Sequence, residues 1–127
     1  MRQYEIFFTN EYASEIVTDI AKILGIKYKE DDLSAAMKEE DKYDKGNLFI
    51  ISNGDNKLII DCNNKDWIYP LVVICSDEYG DEVNKLLLKW DNDIRKEYGQ
   101  KPTDSIPDVY GKEGTLLKVI EEYYKIS

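Results

Sequence analysis

From its first residues the chain alternates. Tyr4, Ile6 and Phe8 interleave with Gln3, Glu5 and Phe7, which predicts a strand with one apolar face. Thr9-Asn10 then offers a helix start. Ala13, Ile16, Val17, Ile20, Ala21 and Leu24 follow at helical spacing, and Gly25 sits where a left-handed residue closes a helix. Ile26 and Tyr28 alternate with Lys27 and Lys29, which predicts a short edge strand. Asp32 is the expected cap of a short helix built on Leu33, Ala36 and Met37 and running into Lys38-Glu39-Glu40-Asp41. Two turns of helix persist only when packed.

The middle of the chain reads as three strands. Leu48-Phe49-Ile50-Ile51 and Leu58-Ile59-Ile60 flank Asn53-Gly54-Asp55-Asn56, the expected tip of a hairpin. Apolar residues at consecutive positions imply that both faces of these strands are covered. A second turn leads into a strand from Trp67 to Cys75. Pro70 cannot donate to a ladder, which places that end at an edge or bulge. From Asp81, the residues Val83, Leu86, Leu87, Trp90 and Ile94 share a helical stripe, so Leu87 and Trp90 are expected beneath the sheet. A long connection with Pro102, Pro107 and Tyr110 runs from Gln100 to about Gly114. Thr115 is the expected cap of a last helix with Leu116, Val119, Ile120 and Tyr123 on one face. Three strands joined by short turns suit a meander, and the first strand must join it to hide its apolar residues. The predicted fold is α+β, a mostly antiparallel sheet with a central three-stranded meander packed by about three helices.

Composition narrows the function. The 127 residues are expected to form a single domain, residues 1–127. There are 26 acids against 17 bases, a net charge of −9 and no histidine. Nucleic acid is excluded as a partner, because phosphates must be met by Lys and Arg. No apolar run approaches the ~20 residues of a membrane helix, and the start lacks a signal peptide's apolar run. A cytoplasmic protein without membrane contact is expected. Cys62 and Cys75 are read as small buried hydrophobes in a reducing compartment, with a disulfide open if their strands are neighbours.

No catalytic set emerges. The cysteines have no histidine to activate them, and neither a nucleophile elbow nor a phosphate-binding glycine loop is present. Asp77-Glu78-Tyr79-Gly80-Asp81-Glu82 and Asp91-Asn92-Asp93 concentrate acids, but neither follows the calcium-loop pattern. No cofactor and no metal are expected. A small carboxylate- or metal-dependent enzyme is the least favoured reading.

What remains is a set of acids beside aromatics. Tyr43 lies between Asp41 and Asp44, Tyr79 follows Asp77-Glu78, and Tyr28 precedes Glu30-Asp31-Asp32. Residues 1–29 balance in charge, whereas residues 30–44 hold seven acids and two lysines. Aromatic rings supply interface area at low entropy cost, and acids steer a basic partner. In size, acidity and exposed Tyr-acid clusters, and in lacking catalytic residues, the chain resembles small bacterial toxin-immunity proteins. That resemblance is one of overall character. It implies a non-enzymatic inhibitor that binds and neutralises a basic toxin domain, often a nuclease, as a monomer or weak dimer. The alternative is an acidic adaptor or a DNA-mimicking phage-type inhibitor. The expected partner-binding residues are Asp31, Asp32, Asp41, Tyr43, Asp44, Asp77, Glu78 and Tyr79.

Overall fold

Four strands, β1 (Arg2–Thr9), β2 (Leu48–Asn53), β3 (Asn56–Asp61) and β4 (Ile68–Cys75), form one antiparallel sheet in the order β1-β4-β3-β2. The structure is a computed structural model that describes residues 1–37, 48–62 and 68–125. Its helices are α1 (Ala13–Leu24), α2 (Glu30–Ala36), α3 (Asp77–Glu97) and α4 (Leu116–Tyr124), with a 3-10 turn over Asn10–Tyr12. The α+β class, the meander and the docking of the first strand beside it are as the sequence predicts, with one helix more than expected.

The hairpin closes with Asn53 opposite Asn56, and Gly54 takes φ 60°. Glycine first with positive φ is the arrangement that matches the twist of the flanking strands. Asn53 also ties the hairpin to α1, its side-chain amide donating to the carbonyls of Leu24 and Gly25 at 3.2 Å. Gly25 is left-handed, as expected of a helix-closing residue.

The two sheet faces are unequally covered. Tyr4, Ile6 and Phe8 of β1, Leu58 and Ile60 of β3, and Tyr69, Leu71 and Val73 of β4 are buried beneath α1 and α3 with Ile16, Ile20, Leu24, Leu87 and Trp90. On the opposite face a smaller cluster gathers Ile59 and Val72 under Ile120 of α4. Consecutive burial of Leu58-Ile59-Ile60 therefore holds for β3. It fails for β2, where Ile50 is exposed at the sheet edge.

Other expectations are corrected. Ile26–Lys29 forms no strand. The segment runs back along α1, with Ile26 buried and the Tyr28 hydroxyl 2.8 Å from that of Thr18. Lys29 rather than Asp32 occupies the N-cap position of α2, and α3 begins at Asp77, four residues before the expected start, with Ser76 at its N-cap position; neither side chain makes a capping hydrogen bond. Pro70 lies on a central strand, not an edge. The β3–β4 ladder ends at Ile60 opposite Leu71, so a missing N–H one residue beyond costs no bond. The buried face of α4 is rotated from the predicted one. Ile120 is buried and Tyr124 half-buried, while Val119 is 59% and Tyr123 63% exposed.

Polar side chains anchored from a distance set that rotation. Both carboxylate oxygens of Glu5 accept from the first turn of α4, from the N–H of Leu116 at 2.9 Å and of Leu117 at 3.0 Å. Thr115 Oγ1 accepts from the Lys118 N–H at 3.2 Å. At the far end the Tyr124 hydroxyl donates to Asp61 at 2.8 Å. A helix start whose own third position is Lys118 has no local acid to complete its capping, and β1 supplies one.

Candidate functional site

The expected partner-binding acids separate into two groups. Asp31 and Asp32 are exposed on the first turn of α2. That helix leads to Met37, whose sulfur lies 3.4 Å from Cys62 just past the end of β3. Asp77, Glu78 and Tyr79 open α3, where the Ser76 N–H donates to Asn56 at the start of β3. The two groups therefore stand at opposite ends of the sheet, separated by about the length of a six-residue strand, ~20 Å. Asp41, Tyr43 and Asp44 lie outside the described residues.

The groups also differ in how free their charges are. Asp77 is 2.8 Å from the α-amino group of Met1 and 3.6 Å from Arg2. The hydrogen bond from that ammonium, then its charge and that of Arg2, hold the Asp77 carboxyl below its ordinary value. Tyr79 packs half-buried against the main core, so its ring serves the fold. Glu78 remains exposed, touched by the Ser76 hydroxyl at 3.5 Å. By contrast, among the described residues no cation lies within ion-pairing distance of Asp31 or Asp32.

The cysteines sit apart from this chemistry. Both are buried and free. Burial pushes the Cys62 thiol up to about 12 and raises that of Cys75, which makes both poor nucleophiles at neutral pH. Among the described residues no group of three or more acids and cysteines is placed to hold a metal ion. Millimolar calcium or magnesium is accordingly expected to leave the melting temperature unchanged. A rise of several degrees would contradict this. No helix among the described residues is long and apolar enough to cross a membrane.

The connection after α3 is a built element. The Asn92 side chain exchanges two hydrogen bonds with the backbone of Thr103, at 3.0 and 2.8 Å, and the Asn84 amide donates to the Ile106 carbonyl at 2.7 Å. Ile106 is buried. The Asp108 carboxylate accepts from the N–H of Gln3 and of Tyr110, each at 3.0 Å, and the Val109 N–H donates to the Gln3 carbonyl at 2.9 Å. The connection is thereby pinned to α3 and to β1. Asn84 and Asn92 lie on a helix the sequence identifies, but nothing in their spacing marks them as clamps.

Asp108 carries a testable pH signature. Partial burial pushes its carboxyl up, but the N–H donors of Gln3 and Tyr110, with Arg2, outweigh this and leave it below its ordinary value. A group more acidic folded than unfolded adds stability that is complete above the unfolded pKa of about 3.9 and is lost as pH falls. Asp108→Asn is expected to flatten the loss of stability below about pH 4. Unfolding midpoints for both proteins across that range would show it, and identical acid sensitivity would contradict it.

Between this connection, β1 and the last turns of α3 lies an open cleft of about 570 Å³. Three large apolar residues on it are solvent-exposed: Phe7 at 48%, Ile68 at 42% and Tyr98 at 59%. Arg95 on its wall is held by Asp91 at 2.8 Å, its partner one helical turn earlier. This cleft is absent from the sequence reading, because its walls come from four separate segments.

The chain matches no family model, and comparison with curated proteins and with solved structures returns no match.

Proposed function

We propose that this chain is a non-enzymatic protein inhibitor of the immunity type, which binds a basic toxin domain and neutralises it. The observation that carries the reading is the uncompensated acid of α2. Asp31 and Asp32 are exposed and unpaired among the described residues, on a molecule of net charge −9. Left unmatched, they project a negative field that raises the encounter rate with a positively charged surface. Steering works through that field, so the second group of acids around Glu78 contributes without sharing the contact. The buried, weakly acidic thiols and the lack of histidine favour binding over catalysis in the same way.

The experiment is binding and inhibition of the protein encoded beside this one. The expected result is a stable complex that silences that protein's activity. In it, Asp31→Lys slows association more than Asp77→Lys does, because the two reversals change the charge equally and only the first lies at the contact. Equal effects at the two sites would remove the distinction drawn between them.

A further inference from the structure

The cleft beside β1 is open along a strand edge. Among the described residues β1 pairs with β4 on one side only, and no strand lies on the other. The direction of its backbone groups follows from Gln3. The Gln3 N–H and C=O are taken by Asp108 and Val109, so they point away from β4. Backbone direction alternates along an unbroken strand, and the β1–β4 register runs without a bulge from Arg2 opposite Cys75 to Thr9 opposite Ile68. Glu5 and Phe7 therefore present their N–H and C=O outward, into the cleft they line. Among the described residues nothing pairs with them.

We propose that β1 accepts a single extended segment of a partner protein, which adds to the sheet as a fifth strand along Glu5–Thr9. This inference rests on the protein-binding reading above and names the contact that reading leaves open. The molecule already begins this addition: residues 108–109 pair with Gln3, then the connection turns off toward α3 and leaves the next positions vacant. The outward positions Glu5, Phe7 and Thr9 carry no lysine, proline or bulge, and the one charge among them, Glu5, is engaged by the start of α4. The occupant is one strand rather than another sheet, because α3 and the 103–107 connection rise as a wall beside the edge.

The walls also define the chemistry of the occupant. Side chains on one face of an added strand meet Phe7 and Ile68, and those on the other meet Ile94, Tyr98 and Ile106. Apolar residues stand on both sides among polar ones such as Glu5, Thr9 and Thr103, so the segment carries apolar side chains facing each way at its centre, over about five residues, ~17 Å of strand. Arg95 is held by Asp91, so the lining offers no free cation among the described residues. With a net charge of −9 around it, the site favours a segment flanked by Lys or Arg.

The probe is a phage-displayed heptapeptide library panned on the full chain, followed by one enriched peptide made synthetically. The expected outcome is enrichment of β-branched or aromatic runs with basic flanks. The synthetic peptide should slow amide hydrogen exchange at Glu5 and Phe7. Its affinity should fall about tenfold or more with Phe7→Asp, a substitution at an exposed position that spares the core. Backbone N-methylation of the peptide at alternate residues should abolish binding while the protein is unchanged. The proposal is overturned if nothing enriches beyond a control protein, or if an enriched peptide leaves the Glu5 and Phe7 amides untouched. It is equally overturned if the free chain sediments as a dimer with those amides already protected, because a second copy then holds the edge. None of these readouts uses the neighbouring-gene protein or salt, so strand addition and acid steering fail separately.

Discussion

Trp90→Ala is expected to destabilise the fold by about 3–5 kcal/mol, the range for truncating a large buried aromatic at a site that cannot collapse. The site is of that kind. Trp90 is 7% exposed, in the same core as Leu87, which is wholly buried. Its ring meets that of Tyr12 at 5.6 Å between centroids, and Lys89 Nζ stands 5.5 Å over it. The indole nitrogen has no hydrogen-bond partner among the described residues, so phenylalanine at this position forfeits volume and no bond. Trp90→Phe should therefore recover most of the loss. Urea denaturation of the three proteins gives the comparison. A cost below about 1 kcal/mol for Trp90→Ala would show that this helix face is not a structural contact.

The second large effect is expected at Glu5. Removing its carboxylate with Glu5→Ala leaves the N–H groups of Leu116 and Leu117 without their acceptor, and hydrogen bonds to a charged group contribute about 1.5–3 kcal/mol. The loss should be local. With its start released, α4 no longer covers Ile59 and Val72, so binding of a hydrophobic dye should rise with little change in far-ultraviolet circular dichroism. Glu5→Gln keeps an acceptor and loses the charge that favours a helix N-terminus, so its cost should be intermediate. An alanine variant as stable as the parent would mean that Thr115 and the apolar contacts of Ile120 suffice to hold α4.

The contrast between these two residues explains what was legible. Trp90 was readable because its burial follows from a period shared with Val83 and Leu87, a local pattern that tertiary packing did not alter. The hairpin at Gly54 and the cap at Thr115 were readable for the same reason: each is fixed within four residues. Glu5 was not readable. Alternation marked it as the polar side of β1, yet its role depends on residues more than a hundred positions later. The orientation of α4 failed with it. Val119 and Tyr123 fit a helical stripe as well as Ile120 does, and the choice was made by the anchors Glu5 and Asp61. Ile26–Lys29 alternates like a strand, but the stronger demand was to bury Ile26 directly after the α1 terminus.

The candidate site divides similarly. Exposure of Asp31, Asp32 and Glu78 followed from charge density alone. The neutralisation of Asp77 by the chain's own amino group, and the half-burial of Tyr79, are facts of packing that the residue types do not carry. The cleft at the edge of β1 was invisible because an open edge is a property of strand order, and strand order was not fixed by the pattern.

The most direct test of the central claim, that the acids of this chain steer a basic protein to it, is the association rate with the neighbouring-gene protein measured by stopped flow. The rate should fall steeply as ionic strength rises from about 0.01 to about 1 M, where the screening length shortens from about 30 to about 3 Å. The slope should flatten when Asp31 and Asp32 are both replaced by lysine. An association rate that is indifferent to salt, and to both substitutions, would contradict the claim and reduce the net charge of −9 to a means of keeping the protein dispersed.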